Sequence, residues 1–506
     1  MGIHDMTVRD MIQKDSLHRK NRVAFVQGDM RWSFGQYTED LKNLAGGLSS
    51  LGVKKGDRLA VLSFNSYNYF LLYGAAASLG AILVPLNWRF KEEELKAILE
   101  MCTPKSMIVE PEFENMAVRL KHSTPSMEHL LSTDGHSGVD SLQGLMRIGG
   151  NRFEEPSLSQ EDPYLIVPTA AVDGKPRGAV LTHRNLLAGG IQTMMHMAIN
   201  QDSIYLNLMP LFHVMDLEVA FATFLAGGCN VILKRFDPEE AAGTIHKERV
   251  SVIATVPPML ASILDKAEAT GLDLTSLSVV AGLAEHPDTV ERCHQKTGAK
   301  FWAGYGQTET IGYVTLGPYD DCPGSSGKEG LLARIRLVDD YDRDVAPGEP
   351  GEVVVRGPLV FEKYWNLKEE TAYVFRDGWH HTGDVCRLDD RGYLWYVKRK
   401  AEKELIKPGG ENVYPAEVEK ALLEHPDIEE ACVFGVPDKD WGEAIKAVCG
   451  FRAGGRAPEP KEVAEFVASR IARHKKPKFL VFVEGLPKRQ DGSVDLDRVK
   501  AEHGGR

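Results

Sequence analysis

Three short stretches of this sequence combine residue types that can bind and activate a phosphorylated ligand. Gly304-Tyr305-Gly306-Gln307-Thr308-Glu309-Thr310 packs two glycines, two threonine hydroxyls and one carboxylate into seven residues. Glycines let the backbone approach a ligand closely. Hydroxyls donate to phosphate oxygens, and a carboxylate such as Glu309 suits Mg²⁺, a hard cation that takes oxygen ligands. In His381-Thr382-Gly383-Asp384 a carboxylate stands next to a glycine, and such a carboxylate can accept both hydroxyls of a ribose. Lys407-Pro408-Gly409-Gly410-Glu411-Asn412-Val413-Tyr414-Pro415 is a rigid Pro/Gly turn leading into a helix. Taken singly, each stretch is more often an ordinary turn or helix entry. The signal lies in finding all three in this order.

The elements that must hold these stretches are legible as an alternation. Helical spacing over 34–51 stops at Gly52, 58–62 reads as a strand, 92–101 as a helix and 106–109 as a strand. A second round runs through a strand at 164–167, a helix capped by Thr182, a strand at 230–233, a helix at 238–248, and strands at 251–254 and 278–282. This predicts parallel sheets covered by helices. From 327 to about 396, short strands lie between Gly/Pro/Asp turns, predicting a small β unit. The polar stretch 123–163 reads as a surface connection. The charged stretch 398–404 reads as a linker, followed by a helix at 415–425, a strand at 431–434, a helix at 461–473 and a strand at 479–483. The expected fold class is α/β: a large N-terminal domain (1–397) of stacked α/β sheets plus the small β unit, then a small, mobile α+β C-terminal domain (398–506).

Composition narrows the function classes. The chain has 506 residues, 43% of them apolar and 26% charged, enough for several domain-sized cores. A net charge of −12 without a basic stripe argues against nucleic-acid binding. Seven scattered cysteines without a CxxC pair read as reduced thiols in a cytoplasmic protein. The apolar run 69–86 contains Gly74, Gly80 and Pro85. It reads as a buried helix ending near Gly80 and a buried strand, and no transmembrane segment is expected.

Together the stretches resemble the adenylate-forming acyl-CoA synthetases, the AMP-dependent synthetase and ligase superfamily that also holds luciferases and peptide-synthetase adenylation domains. The resemblance extends to Leu83-Val84-Pro85-Leu86-Asn87, Pro210-Leu211-Phe212-His213 and Gly378-Trp379-His380-His381, and covers almost the whole chain. It implies that a carboxylic acid and ATP form an acyl-adenylate, which the thiol of coenzyme A converts to an acyl-CoA. It also implies a C-terminal domain that rotates about a hinge at Lys398. ATP/AMP, Mg²⁺ and coenzyme A are thus the implied cofactors and substrates, a small carboxylic acid or acyl-CoA the partner, and a monomer or homodimer the expected assembly. On this resemblance Tyr305 lies against adenine with Gly282 forming a wall and Gly306 and Gln307 beside it. Thr308 contacts the α-phosphate, Glu309 holds Mg²⁺, and Asp384 and Arg399 hold the ribose. His213, Asp216 and Gly304 border the acyl pocket, and Gly409, Gly410, Glu411 and Asn412 line the thioester-forming site. Thr169, Asp173, Gly174, Lys175 and Arg177 belong to the phosphate loop.

Two departures fall in the ATP half of the reaction. The family's phosphate loop carries a row of hydroxyls and a glycine where this chain has Ala170, Ala171, Val172 and Asp173. Each lost neutral hydrogen bond is worth about 0.5–1.5 kcal/mol. An aspartate facing a polyphosphate adds repulsion of roughly 1–4 kcal/mol at ~4 Å. The family's adenylation lysine is replaced by Ser493, and Lys488 and Lys500 do not match its spacing. Removing one such charge-stabilising group costs about 10²–10³ in rate. A milder departure is Asp216, where the family usually has glycine. Two readings follow: a working acyl-CoA synthetase with compensating cations such as Arg177 or Lys175, or a non-adenylating relative that binds AMP, acyl-adenylate or acyl-CoA and performs only the CoA-linked half or another acyl-CoA conversion.

Overall fold

The apolar run around residue 80 illustrates how local chemistry sets the chain's course. Ser66 accepts from the Tyr69 amide and starts the helix Tyr67–Leu79. Gly80 ends it at φ 67°, a left-handed conformation that favours glycine. The buried strand Ile82–Pro85 then enters a sheet between Pro163–Ala170 and Arg58–Leu62. No helix among the described residues is long and apolar enough to cross a membrane. The computed structural model describes residues 5–134, 140–149, 153–170, 176–283, 285–400, 405–452, 457–489 and 494–504.

Two large sheets form the N-terminal body. The eight-stranded one runs in the order Lys363–Tyr364, Pro176–Thr182, Pro163–Ala170, Ile82–Pro85, Arg58–Leu62, Ser106–Val109, His129–Ser132, Asp140–Ser141. The nine-stranded one is Lys328–Glu329, Gly312–Pro318, Lys300–Gln307, Val279–Gly282, Val252–Thr255, Ile204–Asn207, Cys229–Ile232, Val23–Gln27, Met30–Ser33. Their inner strands pair in parallel and read as unbroken apolar runs because helices cover both faces. The expected small β unit is a five-stranded antiparallel sheet that includes Trp379–Leu388 and Leu394–Arg399. Lys398 is exposed in that last strand and pairs with Val385, so the chain is still sheet-bound at the residue expected to be the hinge. Residues 401–404 lie outside the described residues.

The stretch 123–163 departs from its expected irregularity. It supplies the strands His129–Ser132 and Asp140–Ser141 and the helix Leu142–Gly149. Leu142 and Leu145 are buried, and the helix crosses Phe34–Ser50 at Gly46 and Gly47, where any Cβ would stand 2.5 Å from a backbone oxygen. Two apolar anchors and two glycines outweigh the polar composition around them.

The C-terminal residues build a three-stranded sheet: Ile428–Asp438, Gly442–Phe451 and Phe479–Val483. Alternate residues serve opposite faces. Val433, Ile445 and Ala447 join one apolar cluster, and Cys432, Phe434 and Val448 the other. The helix expected over 461–473 ends at Arg470; a 3₁₀ turn at Arg473–Lys475 follows.

That turn pins the C-terminal unit to the body. Lys475, 3% exposed, reaches Glu94 at 2.5 Å and Glu417 at 2.6 Å, with its ammonium 4.6 Å from the Phe90 ring centroid. Removing one partner of a buried ionic cluster costs about 3–5 kcal/mol. Lys475→Met should leave Glu94 and Glu417 facing each other and weaken the docking. The check is limited proteolysis: cleavage between 400 and 405 should speed up at least several-fold over wild type.

Candidate active site

The strand Lys300–Gln307 and its antiparallel neighbour Gly312–Pro318 are joined by a single 3₁₀ turn, Thr308–Thr310. A Cβ on Gly306 would stand 1.6 Å from the Gly312 carbonyl oxygen, so only glycine permits this approach. The Gln307 amide donates to Thr310 Oγ1 at 3.0 Å and fixes the turn. Tyr305, Gln307, Thr308 and Glu309 are thereby presented in sequence along one edge.

Asp384 is wholly buried opposite them. The Tyr305 hydroxyl donates to Asp384 Oδ2 at 2.7 Å, and Gln307 Nε2 donates to the same oxygen and to the Thr382 carbonyl at 3.0 Å. Arg399, the sheet partner of Asp384, lies 2.8 Å from Oδ1, close enough for an ion pair but off the hydrogen-bonding direction. Asp384 Oδ1 therefore keeps acceptor capacity, which fits a ribose hydroxyl. Gly282 brings its backbone against the Phe301 ring, where a Cβ would meet Cζ at 2.4 Å.

Glu309 Oε1 accepts from the Tyr364 hydroxyl at 2.7 Å, and the Arg177 guanidinium lies 5.6 Å from the Tyr364 ring centroid. No group of three or more acidic, His or Cys side chains suited to a metal occurs among the described residues. One carboxylate still fits Mg²⁺, which usually takes one or two carboxylates plus phosphate oxygens and water. Thr169 pairs with Arg177 across a hairpin. The tip of that hairpin, with Asp173, Gly174 and Lys175, lies outside the described residues, as does Ser493. The lysines flanking position 493 are engaged within the C-terminal unit: Lys488 pairs with Glu430 at 2.6 Å, and Lys500 stands 5.9 Å from the Phe434 ring centroid.

The stretch 405–415 packs against the N-terminal body beside these residues. Gly409, at φ 57°, donates its amide to the Trp441 carbonyl at 3.1 Å, with the Pro257 carbonyl 3.6 Å from its Cβ position. Glu411 pairs with Arg89, and His213 Nε2 stands 3.2 Å from Glu411 Oε1. Burial pushes the Glu411 carboxyl up, but His213 and Arg89 outweigh it and hold it well below the usual carboxylate range. Gly410 ends the 3₁₀ turn Pro408–Gly410, and Asn412 is exposed. Asp216 and Gly304 are farther in: Asp216 is wholly buried, and Gly304 packs under the Tyr313 ring.

Sequence reasoning singled out none of Tyr364, Arg89, Lys407 and Tyr414 as site residues. The last two stand inside a quoted motif, and only their burial among charges gives them away. Burial pulls the Lys407 ammonium down to about 8, with Arg399 adding to the effect and Asp384, Glu443 and Glu309 opposing it. Between this value and 10.5 the unfolded chain binds more protons than the folded one, so folding stability rises with pH across that window. Lys407→Met should flatten this rise. Urea unfolding at pH 7.5 and pH 10, wild type against variant, checks it.

Comparison with known proteins settles the family. The AMP-binding enzyme profile matches residues 12–365, and that of the AMP-binding enzyme C-terminal domain matches 417–493. The chain belongs to the AMP-binding enzyme family. It is 33% identical to an indoleacetate–CoA ligase of Aromatoleum aromaticum over 95% of this chain and 94% of that one. It is also 33% identical to a feruloyl-CoA synthase of an Amycolatopsis species, covering 95% and 96%. The solved structure of a Bacillus subtilis o-succinylbenzoate CoA synthetase double mutant, bound with its product analogue, superposes with a TM-score of 0.82 at 25% identity, covering 97% and 98%. This AMP-binding enzyme thus has the family's α/β architecture, a large N-terminal part followed by a smaller C-terminal one.

Proposed function

We propose that this protein is an acyl-CoA synthetase that joins a carboxylic acid to coenzyme A through an acyl-adenylate, with ATP consumed to AMP and pyrophosphate. One observation carries the reading. The stretch Lys407–Glu411 links the two ends of the candidate site: Lys407 feels the charges of the ribose-type carboxylate Asp384 and of Glu309, and Glu411 reaches His213. Names of relatives such as indoleacetate–CoA ligase and feruloyl-CoA synthase support the same class. In this reading Tyr305 and Gly282 border adenine, Asp384 and Arg399 hold the ribose, and Thr308 and Arg177 face phosphate. Glu309 would hold Mg²⁺, which supplies charge neutralisation on the phosphates when bound. His213 and Gly304 border the acyl group, and Gly409 to Asn412 line the path of the thiol. The domains divide at Lys398, with 1–397 acting as the binding body and 398–506 as the moving unit, in a cytoplasmic monomer or homodimer.

A second reading keeps only the CoA-linked half. It is favoured by Ala170, Asp173 and Ser493 in the sequence. ATP–pyrophosphate exchange with Mg²⁺ and a panel of aliphatic and aromatic acids separates the two. Exchange with any acid supports the synthetase. No exchange, with acyl-CoA or AMP still bound, sinks it in favour of the second reading.

A further inference from the structure

The nine-stranded sheet carries a trough beneath the helix Val214–Ala226. Register and the two-residue period place Tyr205, Ala254, Ala281 and Gly304 on one face of four strands. Val252, Val279 and Trp302 share that face, which is low only at Ala254 and Ala281 and at Gly304, where Tyr313 lies across it. Tyr205 walls one side, and its hydroxyl donates to Asp216 Oδ1 at 2.6 Å. The other side is walled by Tyr313. A register shift between Tyr305 and Gly306 swings that ring across Gly304, where its Cδ1 stands 2.4 Å from the Cβ position. The Tyr313 backbone is clamped: its amide donates to Glu218 Oε2 at 3.3 Å, and its carbonyl accepts from Gln192 Nε2 at 2.6 Å. The two tyrosines approach closely enough for Tyr313 to disfavour ionisation of Tyr205.

Two polar atoms in this trough have no hydrogen-bond partner although both are buried: Asp216 Oδ2 and the Tyr313 hydroxyl. Asp216 is 0% exposed and Tyr313 2%. Glu218, on the same helix, is by contrast satisfied on both oxygens. Buried polar atoms are almost always paired, and an orphan pair on the walls of one trough points to a ligand that completes it. Burial also raises the Asp216 carboxyl to about 7, so near neutrality it can donate as well as accept. His213, half-exposed, is the N-cap of this helix and precedes Asp216 by three residues.

We propose that the acyl pocket is short and ends in this pair, Asp216 and Tyr313, which selects small carboxylic acids bearing a hydroxyl remote from the carboxyl over wholly apolar acids. The proposal rests on the synthetase reading for its location. A site built to hydrogen-bond a substrate hydroxyl rejects the analogue lacking it because its own buried groups are left unpaired.

The test uses matched pairs: benzoate against 3- and 4-hydroxybenzoate, butanoate against 4-hydroxybutanoate, and octanoate as a long apolar acid. Each is measured by kcat/KM for thioester formation and by thermal shift with the acid and AMP, which needs no turnover. The hydroxy acid should win by about 10- to 100-fold in at least one pair. Tyr313→Phe and Asp216→Gly should each bring that ratio to within about 2-fold, whereas Tyr313→Ala should admit octanoate. A wild-type ratio near one, a ratio unchanged in both Tyr313→Phe and Asp216→Gly, or the absence of any acid-dependent shift would overturn the proposal. So would a crystal structure with a hydroxy acid in which only water contacts Asp216 and Tyr313. If no acid yields thioester but the thermal shift keeps the hydroxyl preference, the synthetase reading falls and the pocket assignment stands.

Discussion

Ser493→Lys, combined with restoration of Ala170, Val172 and Asp173 to Ser or Thr, is expected to raise ATP–pyrophosphate exchange by about 10²-fold or more. Separate effects add to this gain. A cation aimed at the reacting carboxylate and α-phosphate contributes about 10²–10³. Three restored donors contribute about 0.5–1.5 kcal/mol each, and removing an aspartate from beside a polyphosphate relieves roughly 1–4 kcal/mol. The two flanking lysines are engaged elsewhere: Lys488 is held by Glu430, and Lys500 packs over Phe434. Around position 493, Val494 joins the C-terminal unit's apolar cluster and Arg489 pairs with Asp495 and Asp497. Glu411 of the same unit is the residue that reaches His213. The gain should therefore appear in pyrophosphate exchange and be absent from CoA transfer onto a supplied acyl-adenylate. An equal gain in both assays, or none in either, would mean these positions do not limit the ATP half.

Legibility followed the range of the interaction that fixes each feature. The Gly80 end of one helix and the Thr182 cap of another depend on residues three or four apart, and both could be read directly, whereas the Ser66 start of the first was not. The strand Gly442–Phe451 went unread because it is defined by pairing with Ile428–Asp438, not by its own pattern. In the site, the motifs at 304–310, 381–384 and 407–415 stood out because each condenses its chemistry into one turn. Contacts between motifs did not. His213 and Glu411 are 198 residues apart, and Lys475 and Glu94 are separated by 381. Nothing in the sequence announces Tyr364, an isolated tyrosine whose importance is its bond to Glu309.

The second large effect is expected at Asp384. Asp384→Ala should cost about 3–5 kcal/mol of stability, because it strips the counter-charge from an Arg399 side chain that is only 14% exposed. It also leaves the Tyr305 hydroxyl and Gln307 amide without their shared acceptor. Loss of AMP binding in such a variant would be ambiguous, since a damaged fold binds nothing. Asp384→Asn resolves this. The amide oxygen can keep the Tyr305 bond, the volume is unchanged, and only the charge and one acceptor are lost. The orphan acceptor Oδ1 is the atom assigned to the ribose, so Asn should weaken AMP binding by about 10- to 100-fold. The loss should be smaller for a nucleotide lacking the corresponding ribose hydroxyl. Calorimetric titration of AMP and its 2′- and 3′-deoxy forms into both proteins makes the comparison. Equal weakening of all three nucleotides would mean that Asp384 acts by holding Arg399 and Tyr305 in place, and that the ribose is bound elsewhere.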